Sequence, residues 1–316
     1  MRSLLFAVLF AMAASPAFAE DPFPVTVTDG RGETVTLEKS PKKVAALWAA
    51  AADMMVALKR PVYGVTTYEG AMPVYLGDAM KGAFDFGDIT APNLELMAVS
   101  DLDLTIGMTR YNAPYADDIE KFSKFVTYEG FNIEQSLQSM AALGKVLGAE
   151  AEADALNSSF LDSIEKLAAQ TPAEPRSVLF IWSYQNTLYG YQENVLTAEL
   201  IARLGAVNPL GRNEEAETPD NAFVVLEAED LLKLNPDVMM FFVSHGGAVP
   251  HNPVYERLSA FKNNRIYSVG YQYTQPSGPI ARDLVLREAA YLIWPETFAK
   301  PDMPDGARAV PLEFAR

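Results

Sequence analysis

The residues that carry chemistry in this sequence stand at the ends of apolar runs. In the first half of the chain these are Trp48, Tyr68 and the run Met108-Thr109-Arg110-Tyr111; in the second they are Trp182, Tyr184, His245, Tyr271 and Tyr273. Aromatic faces suit a bulky planar or aryl partner, and Tyr and Trp add a hydrogen-bonding group at one end. Arg110 offers a fork of donors that matches carboxylate, catecholate or hydroxamate oxygens. In a chain of net charge −16, an Arg between an apolar run and Tyr111 stands out against its background. Packing in a core or at a rim is the competing account for each aromatic. Tyr189 and Tyr191 alternate with Leu188 and Gly190 as hairpin residues do, and are set aside. Arg212 and Arg282 fit a solvated helix surface as well as they fit a binding site.

Other chemistries lack their residues. There is no Cys, hence no disulfide, thiolate nucleophile or thiolate metal site. Neither a Gly-x-Ser-x-Gly elbow, a Gly-x-Gly-x-x-Gly fingerprint nor a phosphate loop is present. The acidic pairs Asp117-Asp118 and Glu214-Glu215 read as surface charge. With His245 and His251 as the only imidazoles, a bare zinc or manganese ion has no ligand cluster. The acidic balance argues against nucleic acid and against anionic lipid faces.

The elements that must position these residues alternate in type. Val25 to Thr28 and Thr34 to Leu37 flank Asp29-Gly30, a hairpin signal. Short apolar runs come next at Val44–Trp48, Val62–Thr66, Leu102–Ile106 and Phe125–Tyr128, with helical patterns between most of them. Such alternation predicts a parallel sheet covered by helices on both faces. From Ile133 to Ala169 the chain has no Pro and is rich in good helix formers. Gly144 and Gly148 predict a break there, then a long helix from about Glu150. A second α/β series succeeds it: strands at Val178–Trp182, Val238–Val243 and Ile266–Val269, and helices at Val195–Leu204 and Arg282–Ile293. The Pro-rich tail after Pro295 reads as irregular. A faint internal repeat relates the stretch from Glu95 through Asp103 to that from Glu229 through Asp237.

At its N-terminus the chain has Met1-Arg2, an apolar run from Leu4 to Ala14, Pro16 and the small-residue site Ala17-Phe18-Ala19. That layout predicts a cleaved secretory signal over residues 1–19. With no Cys after the cleavage site, the expected product is unlipidated and free in a periplasm.

In order and spacing, these features resemble the helix-linked (class III) periplasmic binding proteins that serve ABC importers of ferric siderophores, haem and cobalamin. Three segments carry the resemblance: Val25-Thr-Val-Thr-Asp-Gly-Arg-Gly-Glu-Thr-Val-Thr-Leu with Pro41-Lys-Lys-Val after it, Pro92-Asn-Leu-Glu-Leu, and Asn235-Pro-Asp-Val. The resemblance implies an α/β fold of two Rossmann-like lobes with parallel-sheet cores joined by a long bridging helix. The lobes are expected over 20–132 and 171–316, with the bridging segment over 133–170. It also implies that Glu95 and Glu229, one on each lobe, dock against basic residues of a membrane permease. A carboxylate in the first turn of a helix, favoured by the helix dipole, is the bland account of both. In an open α/β sheet, ligands bind beyond the carboxyl ends of the strands, so the aromatics and Arg110 are expected to converge on one inter-lobe cleft. There Arg110 would neutralise an anionic ferric complex. The expected cargo is an iron chelate, with haem and then cobalamin as alternatives, carried by a monomer without a cofactor of its own. An enzyme on the same scaffold and an adhesion protein are the rival classes.

Overall fold

The computed structural model describes residues 22–68, 70–185, 187–216, 218, 221–244, 247–249 and 251–314; the signal segment expected over 1–19 lies outside these. Val25–Thr28 (β1) and Thr34–Leu37 (β2) form the expected hairpin, with Val25 opposite Leu37. Val25 and Val27 turn inward while Thr26 and Thr28 face solvent, the alternation of a half-buried strand. The Asp29 carboxylate holds the turn by accepting the amides of Arg31 and Glu33, and it also accepts the amide of Thr127.

The first sheet contains Val44–Ala46 (β3), Gly64–Thr67 (β4), Phe84–Asp88 (β5), Ala91–Pro92 (β6), Leu104–Met108 (β7) and Lys124–Tyr128 (β8), in the order β6-β5-β4-β3-β7-β8. All neighbours are parallel except β5 and β6. Every residue of β3, β4 and β7 is buried, as strands covered on both faces must be. Pro92 sits on the edge strand, where its missing N–H removes no ladder bond. Short helices succeed the strands: Ala49–Ala57 (α1), Leu94–Ala98 (α2), Thr109–Asn112 (α3) and Ala116–Ile119 (α4). Sequence reading passes over β5, because Asp85 and Gly87 interrupt its apolar pattern.

Two helices leave this lobe, Ile133–Val146 (α5) and Glu150–Ala168 (α6), separated at Gly148 with φ of 66°. They run antiparallel and close together. Asn157 donates to the Leu137 carbonyl at 2.9 Å, and a Cβ on Gly144 would lie 2.2 Å from that of Ala153. Met140, Leu143 and Ala153 pack into the first lobe's core, whereas Ile133, Phe160 and Ile164 pack into the second's. Each helix therefore crosses from one core to the other.

The second sheet contains Val178–Tyr184 (β9), Thr187–Tyr191 (β10), Phe223–Leu226 (β11), Val238–Val243 (β12), Ile266–Ser268 (β13) and Val310–Pro311 (β14), in the order β11-β10-β9-β12-β13-β14. Strands β9, β12 and β13 are mutually parallel and the outer ones antiparallel. Its helices are Leu196–Arg203 (α7), Ala228–Leu234 (α8), Ser259–Lys262 (α9) and Pro279–Ile293 (α10). The tail is more ordered than its Pro content suggests: β14 pairs with β13, and the Leu312 amide reaches the Ile266 carbonyl at 3.0 Å. This covers a sheet edge that would otherwise expose unpaired backbone groups. Helix α10 makes the same crossing as α5 and α6, with Ala281 and Leu284 in the first core and Val285 and Ala289 in the second. The bridge is thus a layer of three helices, α10 lying beside the shorter and the longer helix expected on either side of the break near Gly148. Among the described residues, no helix is long and apolar enough to cross a membrane.

The internal repeat is structural. Asp103 precedes β7 and accepts the amides of Lys42 and Lys43 just ahead of β3, both at 2.9 Å. Asp237 precedes β12 and accepts the amide of Ser177 just ahead of β9 at 2.9 Å. Two residues before each, Asp101 and Asn235 take positive φ, of 54° and 39°. In both lobes the same carboxylate clamp sets the register of the central parallel pair.

Candidate ligand-binding cleft

Strand ends of both sheets face a cleft that opens to solvent. From the first lobe come Tyr68, just past β4, and Met108 and Arg110, at the junction of β7 and α3. From the second come Phe180 and Trp182 on β9, Tyr191 on β10 and Phe242 on β12. The segment from Thr274 to Ser277 completes the lining between the lobes. An apolar, aromatic wall with few polar groups is the composition of small-molecule sites.

Arg110 is held from its own end of the helix. Its backbone amide donates to the Glu129 carboxylate at 2.7 Å, its Nη2 donates to the Tyr111 hydroxyl at 2.5 Å, and its guanidinium lies 4.6 Å from the centre of the Tyr111 ring. Tyr111 is therefore the platform beneath Arg110 and not part of the wall. Trp182 is fixed by its indole N–H, which donates to Ser244 Oγ at 2.8 Å. It stacks between Tyr184 and Tyr189 at centroid distances of 5.1 and 5.3 Å. Tyr184 supports Trp182 from beside the cleft and does not line it.

Of the residues expected at the site, Tyr68, Arg110 and Trp182 are brought together on the lining. Trp48 is not, being 0% exposed in the first lobe's core. By sequence offset it is the counterpart of Trp182, the same offset that relates Asp103 to Asp237. The two strands end differently. After β3 the chain turns at Trp48 straight into α1, and Gly130 closes over the indole so tightly that a Cβ there would be 2.9 Å from Cζ2. Strand β9 instead runs on through Tyr184, leaving Trp182 on the wall. Tyr271 and Tyr273 are also corrected: the short 3-10 turn they share points both inward, at 6% and 0% exposure. Tyr271 stacks on Tyr75 at 6.2 Å and Tyr273 packs near Phe180 at 6.3 Å. The same turn delivers the next residues, 274–277, to the cleft. His245 lies outside the described residues.

Sequence reading passes over Tyr191, Phe180, Phe242 and Gln275. Tyr191 does belong to a hairpin strand, yet it stacks on Phe180 at 5.5 Å and faces the cleft. Glu95 and Glu229 are exposed in the first turns of α2 and α8.

Behind the cleft runs a buried polar chain. Ser277 Oγ donates to the Gly130 carbonyl at 3.0 Å, Ser136 Oγ donates to the Ser277 carbonyl at 2.8 Å, and Arg282 Nη1 reaches Ser136 Oγ at 3.3 Å. Arg282 reaches neither solvent nor cleft. It is fully buried, donates to Asn157 Oδ1 at 2.7 Å and stacks over Phe160 at 4.2 Å. Burial pushes its guanidinium down to about 10, still charged at neutral pH. Asp53 on α1 is pushed the other way, up to about 7, chiefly by burial; the amides of Ile280 and Ala281 and the Arg282 charge oppose the rise. Among the described residues, no group of three or more His, Asp or Glu side chains could hold a metal ion.

Two α/β lobes around an aromatic cleft, bridged by helices, are the architecture of a solute-binding protein. The profile of the periplasmic binding protein family matches residues 44–273, and the chain belongs to that family. The ABC transporter substrate-binding lipoprotein YvrC of Bacillus subtilis (strain 168) is 28% identical over 318 residues, covering 93% of this chain and 96% of its own. The Fe(3+) dicitrate-binding periplasmic protein FecB of Escherichia coli (strain K12) is 23% identical over 274 residues, covering 84% of this chain and 89% of its own. Among solved structures, the triscatecholate siderophore binding protein FeuA from Bacillus subtilis, complexed with ferri-bacillibactin, is similar with a TM-score of 0.72. It is 17% identical over 85% of this chain and 98% of its own. The petrobactin-binding protein YclQ from the same genus has a TM-score of 0.73 at 16% identity, with the same coverage of 85% and 98%. At these identities the structural likeness speaks for the fold.

Proposed function

We propose that this protein captures a ferric chelate in its inter-lobe cleft and delivers it, unchanged, to an ABC permease. The observation that carries the reading is the convergence of Tyr68 and Arg110 from one lobe with Trp182 and Tyr191 from the other. Two lobes can grip a bulky chelate between aromatic faces while Arg110 meets its oxygens. The iron arrives already wrapped, so the protein needs no metal ligands of its own. Relatives named as ferric dicitrate-binding and as ABC transporter lipoproteins support both cargo and partner.

Glu95 and Glu229 are the docking residues in this reading, their support being exposure at equivalent places on the two lobes. The protein acts outside the cytoplasm, in the periplasm, as a monomer and as a binder without catalytic turnover. Titrating ferric chelates, haem and cobalamin against Trp182 fluorescence tests the cargo. Saturable quenching by at least one ferric chelate is expected, with the chelate recovered intact by mass spectrometry. Quenching by haem or cobalamin alone would reassign the cargo, and a chemically altered chelate would overturn the binder reading.

A further inference from the structure

The electrical character of the cleft narrows the cargo beyond its being a ferric chelate. Among the described lining residues, Arg110 is the one charged side chain, and the Glu129 carboxylate sits against its amide at 2.7 Å. Most polar groups on the wall are already used within the protein. The Trp182 N–H is given to Ser244 at 2.8 Å, the Thr274 hydroxyl to the Tyr271 carbonyl at 2.8 Å, and the Ser277 hydroxyl to the Gly130 carbonyl at 3.0 Å. The buried side-chain oxygen of Gln275, by contrast, has no hydrogen-bond partner. The amide is uncharged and adds nothing to offset the charge of a carboxylate or catecholate oxygen. The rest of the wall is aromatic and apolar.

A trianionic complex brought into such a place loses its hydration and meets, among the described lining residues, a single cation whose backbone amide already holds a carboxylate, which leaves most of its charge uncompensated. The net charge of −16 adds repulsion at longer range. A flat, weakly charged aryl surface suffers neither penalty, and it gains from lying on Trp182 and Tyr191.

We infer that the cargo is an aryl-bearing ferric chelate that is neutral or carries at most a single negative charge, recognised on its ring face by Trp182 and Tyr191, and that Glu129 is a specificity-determining residue disfavouring polyanionic chelates. This rests on the ferric-chelate reading above. It sets the chain apart from its similar proteins named for dicitrate and triscatecholate complexes.

The test is a matched set of ferric complexes titrated into the full-length mature protein by calorimetry: a neutral aryl-containing chelate, a neutral aliphatic trihydroxamate, a trianionic tris-catecholate and ferric citrate. The aryl chelate is expected to bind at least about 100-fold tighter than the tris-catecholate and measurably tighter than the trihydroxamate. In the isosteric Glu129→Gln variant, tris-catecholate affinity should rise by about tenfold relative to that of the neutral chelates. Preference of the parent for tris-catecholate or citrate would overturn the inference and leave chelate capture standing. Failure of every ferric complex to bind would overturn chelate capture itself. An unchanged tris-catecholate affinity in Glu129→Gln would remove Glu129 from the specificity role.

Discussion

The carboxylate of Asp53 accepts the backbone amide of Ile280 at 2.8 Å, and its second oxygen accepts that of Ala281 at the same distance. A side chain of the first lobe therefore caps α10, the helix whose preceding loop lines the cleft. The residue at the cap position is Gly278, which has no side chain to do it, and a Cβ there would lie 2.3 Å from Asp53 Cγ. The cleft-lining loop is consequently anchored to the opposite lobe.

Asp53 makes stability depend on pH in an unusual direction for a carboxylate. Its folded value is raised from 3.8 to about 7, so the native state keeps a proton that the unfolded chain releases. The contribution is complete below the unfolded value and is lost as pH rises through about 7. Asp53→Asn should flatten the fall in melting temperature between about pH 4 and pH 7, and should cost about 1–3 kcal/mol at pH 5 through the amide left without an acceptor. Identical pH profiles for parent and variant would refute the assignment.

Gly130→Ala probes the contact between the lobes. The added Cβ would lie 2.1 Å from Ser277 Oγ and 2.9 Å from the Trp48 ring, neither of which has room to retreat. A loss of about 1–3 kcal/mol is expected from overpacking, together with weaker chelate binding as the lining shifts. Chemical denaturation and calorimetry on the same sample would show both; unchanged affinity would mean the cleft tolerates the shift.

The paired clamps should have comparable weight. Asp103→Ala leaves the Lys42 and Lys43 amides without their acceptor, and Asp237→Ala does the same to Ser177. Each should destabilise by about 1–3 kcal/mol. The hydrogen bond from the Lys43 amide is the largest cause holding the pKa of Asp103 below its ordinary value of 3.8. Its contribution is therefore present above that value and is lost on acidification through the lower folded one. Urea melts at neutral pH and near pH 3 check both points, and an Asp103→Ala penalty that persists undiminished at low pH would contradict the second.

At the cleft, Trp182→Ala should weaken chelate binding by about tenfold through loss of its ring face. Arg110→Ala should weaken it by about 10- to 100-fold if charged oxygens of the cargo reach the fork. Full affinity in Arg110→Ala would remove Arg110 from recognition.

Reversing both exposed carboxylates, Glu95→Arg with Glu229→Arg, should abolish chelate uptake by cells while solution affinity stays within about twofold, since such surface substitutions away from a site change little energetically. Isotope uptake and calorimetry separate the two readouts. Weakened solution binding in the double variant would sink the docking role.

Much of the fold was legible because its signals are local. Continuous apolar runs such as Val238–Val243 mark strands buried on both faces, and the Ala- and Leu-rich stretch after Ile133 marks helices, whatever lies far away in the chain. The repeat from Glu95 to Asp103 was legible for the same reason, since each clamp spans one helix, one turn and one strand start. The site was less so. Trp48 and Trp182 occupy matching positions, yet one is core and the other wall, because one strand turns at once into a helix and the other runs on, and different distant segments close over them. Tyr273 and Tyr191 exchanged their expected places for a related reason: a strand alternates its faces every residue, and a single turn decides which way an aromatic points. The acidic cap of α10 by Asp53 joins residues far apart in the chain and has no local signature at all. Which elements form is written in neighbouring residues; which side chains meet across the cleft is decided by contacts that exist only once both lobes and their helical bridge have assembled.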